Sequence, residues 1–166
     1  MKSNSWKTIL SLVVCTCAIS LAEAAGAQTK DWDSEARSLE GSWTVQVTQV
    51  NCETGAALGG PFLSLLTFAQ GGTLVETTSN PMFFPAVRGP GHGVWSHEDR
   101  RLFKAVSVAF ITLNGALAST QTISQTIELG DDPNEFKTTA ASVIVVPAAG
   151  GPTINGCATA TGKRIE

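Results

Sequence analysis

Two alternating runs, Leu102 to Leu113 and Ala116 to Leu129, are separated only by Asn114-Gly115. Two residues can join neighbouring antiparallel strands but not parallel ones, and Asn-Gly readily adopts the positive φ angles that the favoured hairpin turns demand. Short turn-rich connections also lie at Gly71-Gly72, at Glu98 to Arg101 and at GDDPN, residues 130 to 134. The remaining strand-length runs are Ser42 to Asn51, Phe62 to Ala69, Thr73 to Ser79, Gly93 to His97, Glu135 to Val146 and Thr153 to Ile165. Eight strands in sequence with no crossover helix predict an all-β, antiparallel, up-and-down arrangement. An open meander of that length leaves two unpaired edges, so the expected fold is a closed eight-stranded barrel.

Closure makes the first and last strands antiparallel neighbours, and two cysteines offer a check on it. Cys52 and Cys157 form an even pair, and with only His92 and His97 nearby in composition they match no zinc spacing, so a disulfide is expected. Placing Cys52 opposite Cys157 sets Arg164 opposite Val45, diagonal to Trp43. Trp43, Val45 and Val47 then point inward, and Ser42, Thr44, Gln46 and Thr48 outward. The last strand sorts in the same way, with Ile154, Gly156, Ala158, Ala160, Gly162 and Arg164 inside and a Thr, Asn and Lys row outside. Pairing Leu113 with Ala116 likewise predicts Val106, Val108 and Phe110 on the inner face with Gln121, Ile123, Gln125, Ile127 and Leu129. Lys104 would follow them inward unless a bulge shifts it. Strand seven is apolar or small on both faces, which leaves its parity open and makes it a candidate contact in a homo-oligomer.

Residues 1 to 27 read as a cleavable export signal: Lys2 and Lys7, a short apolar stretch from Ile9 to Leu21, then small residues at Ala22-Glu23-Ala24 and Ala25-Gly26-Ala27. The apolar stretch falls short of the ~20 residues a membrane span needs. The expected organisation is a signal peptide at 1 to 27, a short helical lead-in at 28 to 40 in which Trp32, Ala36 and Leu39 share a face, and a barrel domain at 41 to 166. Export to the periplasm or the extracellular space suits a disulfide. From Gln28 onward nine Lys or Arg stand against thirteen Asp or Glu, a formal charge of −4 without a basic cluster, which argues against nucleic acid as a partner. The polar outer rows of strands one, six and eight argue against an outer-membrane barrel, which presents apolar side chains to lipid.

Gly41-Ser42-Trp43 at the start of the first strand, with Arg164 late in the last, resembles the lipocalin and wider calycin pattern, and avidin-like proteins open with a similar Gly-x-Trp strand. In those barrels the Trp plugs the closed end and the Arg packs across it, and the resemblance implies those structural roles for Trp43 and Arg164. GHGVW at 91 to 95 and GKRI at 162 to 165 are also similar to segments of small exported bacterial barrels. The chain departs from the lipocalins in lacking a Thr-Asp-Tyr loop, any tyrosine, and a helix after the last strand.

In an up-and-down barrel alternate loops share an end, so the loops at 52 to 61 and 80 to 92 gather with Asn114-Gly115 and 147 to 152 into a mouth. The segment NPMFFPAVRGPGHGVW, 80 to 95, carries Met82, Phe83 and Phe84 among three prolines, as a lid or as a seal over the barrel's own core. The expected function is binding of a small, mainly apolar molecule through the open end by Phe83, Phe84, Trp95, Val108, Phe110, Gln121 and Gln125. A cyclase or isomerase using an inward Glu76 or His97, with Arg88 and His92 as the other titratable groups nearby, is the second reading. A filled, oligomer-forming structural barrel is the third. No phosphate-binding glycine loop or metal spacing occurs, so no cofactor is expected.

Overall fold

The computed structural model describes residues 38 to 166. The export signal and nearly all of the helical lead-in lie outside the described residues. Eight strands follow one another: β1 (Gly41–Val50), β2 (Phe62–Ala69), β3 (Thr73–Thr78), β4 (Val87–Asp99), β5 (Leu102–Leu113), β6 (Ala116–Leu129), β7 (Glu135–Pro147) and β8 (Ile154–Arg164). Every strand pairs antiparallel with its sequence neighbours, and β1 pairs with β8 to close the barrel.

The seam between β1 and β8 runs from Trp43 opposite Arg164 to Val50 opposite Cys157. This register differs by two residues from the expected one. Cys52 lies beyond the end of β1 and reaches back to Cys157, with 5.2 Å between their Cα atoms. An even slip leaves every side chain on its own face, so Trp43, Val45, Ala158 and Gly162 are buried as expected. Ile154 shares their parity but sits at the rim and is exposed.

β5 departs from expectation by one residue, which inverts it. Leu113 does pair with Ala116, but the register shifts between Ile111, opposite Ser119, and Thr112, opposite Leu117, so Ala118 is an extra residue in β6. Phe103, Ala105, Ser107, Ala109 and Ile111 therefore face inward, while Lys104, Val106, Val108 and Phe110 face solvent. β4 begins six residues earlier than expected, at Val87, and a second irregularity between Arg88 and Gly91 leaves Gly89 and Pro90 without strand partners. A bulge is one of the few places a sheet tolerates a residue without an N–H. β7 carries irregularities after Thr138 on both sides, so Thr138 and Ala141, three residues apart, both face the lumen.

The half of the barrel away from the long loops is solid. Leu39, Trp43, Phe68, Leu74, Phe103, Ile127, Leu129 and Phe136 form its core, with Trp95 packed against it. Trp43 Nε1 donates to the Leu39 carbonyl at 2.9 Å, the Phe136 ring lies 4.9 Å away, and the Arg164 guanidinium sits 4.3 Å over the indole. Arg164 also donates to the carbonyls of Ser38, Pro133 and Glu40 and to Asn134 Oδ1, so it ties three separate segments together at the seam. Burial holds the pKa of that guanidinium below its ordinary value. Gly41 opens β1 because its φ of 120° is unfavourable for other residues and because a Cβ there would stand 2.7 Å from Arg164 Nη1.

The seam yields a test of what the disulfide contributes. Replacing Cys52 and Cys157 together by Ser should lower unfolding stability by about 4–5 kcal/mol, since the bridge closes a chain loop of roughly a hundred residues. Far-UV circular dichroism should be retained, because the β1–β8 pairing does not depend on the bridge; urea denaturation of the two forms measures the difference.

Candidate functional site

The other half of the barrel is hollow. A cavity of about 70 Å³ is walled by Val45, Val47, Leu66, Ile123, Val143 and Ala158, with Phe62, Asn80 and Phe83 toward the loop end. Asn80 caps a single turn of 3-10 helix (Pro81–Phe83), its Oδ1 accepting from the Met82 N–H at 3.0 Å, and this turn presents Phe83 to the lumen.

Glu76 and Arg88 form an ion pair inside the tube, with side chains 6 % and 2 % exposed. Arg88 Nη2 donates to Glu76 Oε1 and Arg88 Nε to Gln121 Oε1. Ser107 Oγ donates to the same Glu76 oxygen at 3.0 Å, and Arg88 Nη1 reaches the Gly89 carbonyl at 3.2 Å. Four strands thus meet in one polar knot: β3, β4, β5 and β6. Charges taken this far from water must be paired and hydrogen-bonded to be tolerable. Gly91 makes room for it, because a Cβ there would collide with the Glu76 carboxylate, while at Gly93 a Cβ would collide with the Val106 carbonyl and so the missing side chain lets the β5 backbone approach. On the same wall Ser64 Oγ donates to Thr78 Oγ1 at 2.9 Å.

The expected site residues divide between this cavity and other places. Phe83, Gln121 and Gln125 line the lumen, and so does Glu76. Phe84 is 87 % exposed on the loop outside it. Trp95 belongs to the solid half, where its Nε1 donates to the Ala69 carbonyl at 3.0 Å and its ring meets Phe68 and Phe103. Val108 and Phe110 stand on the outer wall, a consequence of the extra residue in β6. His92 is exposed on the outside of β4, and His97 lies against Phe103 at the far end with Nε2 bonded to the Arg100 carbonyl, so neither imidazole shares the cavity with Glu76. Among the described residues no cluster of His, Cys, Asp or Glu is arranged to hold a metal.

Ser107 and Thr138 were not expected at the site, and Arg88 was expected only as a titratable neighbour. A signal for Arg88 exists: between residues 54 and 97 the sole formal charges are Glu76 and Arg88. Two lone opposite charges in an uncharged stretch, one of them two strands of alternation deep, are each other's natural partners. Nothing comparable marks Thr138, whose facing is set by the irregularities beside it.

Comparison of the chain with protein-family models, with curated proteins and with solved structures finds no match.

Breaking the pair should be costly. Arg88→Met leaves the Glu76 carboxylate buried without its cation and should remove about 3–5 kcal/mol of stability. The double change Glu76→Leu with Arg88→Met should recover most of that loss. Urea melts of the wild type, both single variants and the double variant give the coupling directly.

Proposed function

We propose that this protein is an exported carrier of calycin type that holds a small, mainly apolar molecule in the mouth half of its lumen. The observation that carries the reading is the division of the barrel into a solid half and a hollow one, with the hollow half under the two longest loops. A barrel needed only as a scaffold has no reason to leave one half unfilled, because voids forfeit packing.

The loops around the mouth fit an apolar guest. Glu53 is the one charged residue among those at 51 to 61, 79 to 86, 114 to 115 and 148 to 153, whereas Arg100, Arg101, Asp131 and Asp132 crowd the connections at the opposite end. Leu58, Met82, Phe84 and Ile154 are exposed on or beside the mouth loops. Apolar surface left in the open around a cavity is a common mark of a binding site. Calycin kinship is supported by the Trp43 and Arg164 stack at the closed end, and export by the bridge between Cys52 and Cys157, which reducing compartments do not sustain.

Size limits the guest. At 70 Å³ the cavity is about half the ~150 Å³ of an engineered apolar cavity that takes up benzene, and well below the ~300 Å³ at which ordinary ligand sites begin. The part of the guest that it encloses therefore has about three non-hydrogen atoms. Proton-transfer chemistry draws less support, since Glu76 already accepts from Arg88 and Ser107 and no imidazole shares the lumen.

The narrowness of the cavity also supports a second reading, a structural barrel that acts as an oligomer. The outer wall of β4, β5 and β7 exposes Val94, Val106, Val108, Phe110, Ile144 and Val146, side chains suited to a subunit contact.

Native mass spectrometry of the protein purified from its own host separates the two. Carriage predicts a monomer or oligomer with added mass per chain, and the structural reading predicts multiples of the bare chain mass. Ala160→Leu, which extends a side chain into the cavity, should abolish the added mass and raise stability by about 1 kcal/mol.

A further inference from the structure

One buried polar atom on the lumen wall lacks a hydrogen-bond partner among the described residues, and its neighbours in the lining narrow what would complete it. Thr138 is 5 % exposed and lines the cavity, yet its Oγ1 has no partner. Buried hydroxyls in folded proteins are nearly always paired, with protein or with something bound. Gln121 gives its carbonyl oxygen to Arg88 Nε, a group that can only donate, which leaves the Gln121 NH2 as a donor without a described acceptor. Glu76 takes both of its described donors on Oε1, so its second oxygen can still accept.

Charge narrows the chemistry further. Glu76 and Arg88 neutralise each other in the tube, and all three nitrogens of Arg88 already donate. A carboxylate guest would set a second anion beside Glu76 and leave two carboxylates to one guanidinium. An ammonium guest would compete with Arg88 for Glu76 and leave two cations to one carboxylate. Either would bury an unpaired charge. A pure hydrocarbon would fill the space and leave Thr138 as it is. A hydroxyl group both donates and accepts, so it can pair with Thr138 Oγ1 whichever way that hydroxyl points, and it brings no charge.

We infer that the guest is an uncharged alcohol that places about three non-hydrogen atoms in the cavity, its hydroxyl paired with Thr138 and its hydrocarbon part against Val45, Val47 and Ile123. This rests on the carrier reading and names its ligand class.

The test titrates the protein purified from its own host with four probes of matched shape: isobutanol, isopentane, isobutyrate and isobutylammonium. Two-dimensional amide NMR follows Thr138 and the side-chain amides of Gln121 and Gln125. Isobutanol should shift these resonances saturably, with the other three at least roughly tenfold weaker, the scale of one lost or uncompensated polar contact. Thr138→Val should weaken isobutanol about three- to tenfold while raising the denaturation midpoint of the empty protein, because it removes an unpaired buried hydroxyl. Thr138→Ser should keep the affinity. A merely structural hydroxyl would give the opposite sign in the stability of the valine variant. Equal affinity for isopentane, isobutyrate or isobutylammonium, or an isobutanol affinity unmoved by Thr138→Val, overturns the alcohol assignment and leaves lumen binding standing. Silence of the lumen resonances toward all four probes overturns both.

Discussion

Closure of β1 onto β8 is the constraint from which the rest of the structure follows. Until that seam forms, the eight strands have two edges and no inside. Once it forms, each strand's alternation acquires a meaning, and the apolar set of one strand must meet those of the others across a common axis. The seam is held at three levels. Backbone pairing runs from Trp43 and Arg164 to Val50 and Cys157. Arg164 anchors one end through its stack on Trp43 and through carbonyls from the segments on either side. The disulfide anchors the other end. These devices act where a meander is weakest, at the one strand pair that no short turn brings together.

The accuracy with which this architecture can be read from residues depends on parity rather than on distance along the chain. Assuming that Cys52 lies directly opposite Cys157 misplaces the register by two, yet the alternation on β1 and β8 survives, with Ile154 exposed only because it sits at the rim. The Asn114-Gly115 turn is placed correctly and its first pair is right, yet one extra residue at Ala118 turns β5 inside out. The sequence of β5 could not warn of this. Its two faces, Phe103, Ala105, Ser107, Ala109 and Ile111 against Lys104, Val106, Val108 and Phe110, are both largely apolar. A bulge costs little there because either face can be buried. On β6 the pattern is one-sided, with Thr and Ser opposite Gln121, Ile123, Ile127 and Leu129, and its facing is legible without knowledge of the turn.

The same logic explains which parts of the site can be read in advance. Gln121, Gln125 and Glu76 lie on strands whose alternation is clear, and all three line the lumen. Arg88 is hidden among Pro and Gly residues that look like loop but form the irregular start of β4. Its sequence signature is electrostatic, the absence of any other formal charge near it except Glu76. Gly91 carries a second signature, since a glycine within a strand marks where another group must approach closely, and there it is the Glu76 side chain. Thr138 has neither. It faces the lumen because β7 changes phase immediately after it, and a phase change leaves no trace in composition.

The two halves of the barrel answer different demands. In the solid half, aromatic and branched side chains fill the tube completely, and the connections at that end carry charges that keep it in water. Stability can be concentrated there because a packed aromatic cluster stabilises the fold wherever it sits along the axis. The other half is thereby released from the requirement to pack. It can hold small residues such as Ala158 and Ala160, an unpaired hydroxyl at Thr138 and a pair of buried charges, none of which a core built for stability alone would choose. Packed against Gly91 and bonded to Ser107 and Gln121, Glu76 and Arg88 form a polar knot in the wall of four strands, from which Glu76 and Gln121 face the cavity. The cavity lining is thus largely separate from the aromatic plug, so a change at Val143 alters what fits without disturbing Trp43 and Phe136.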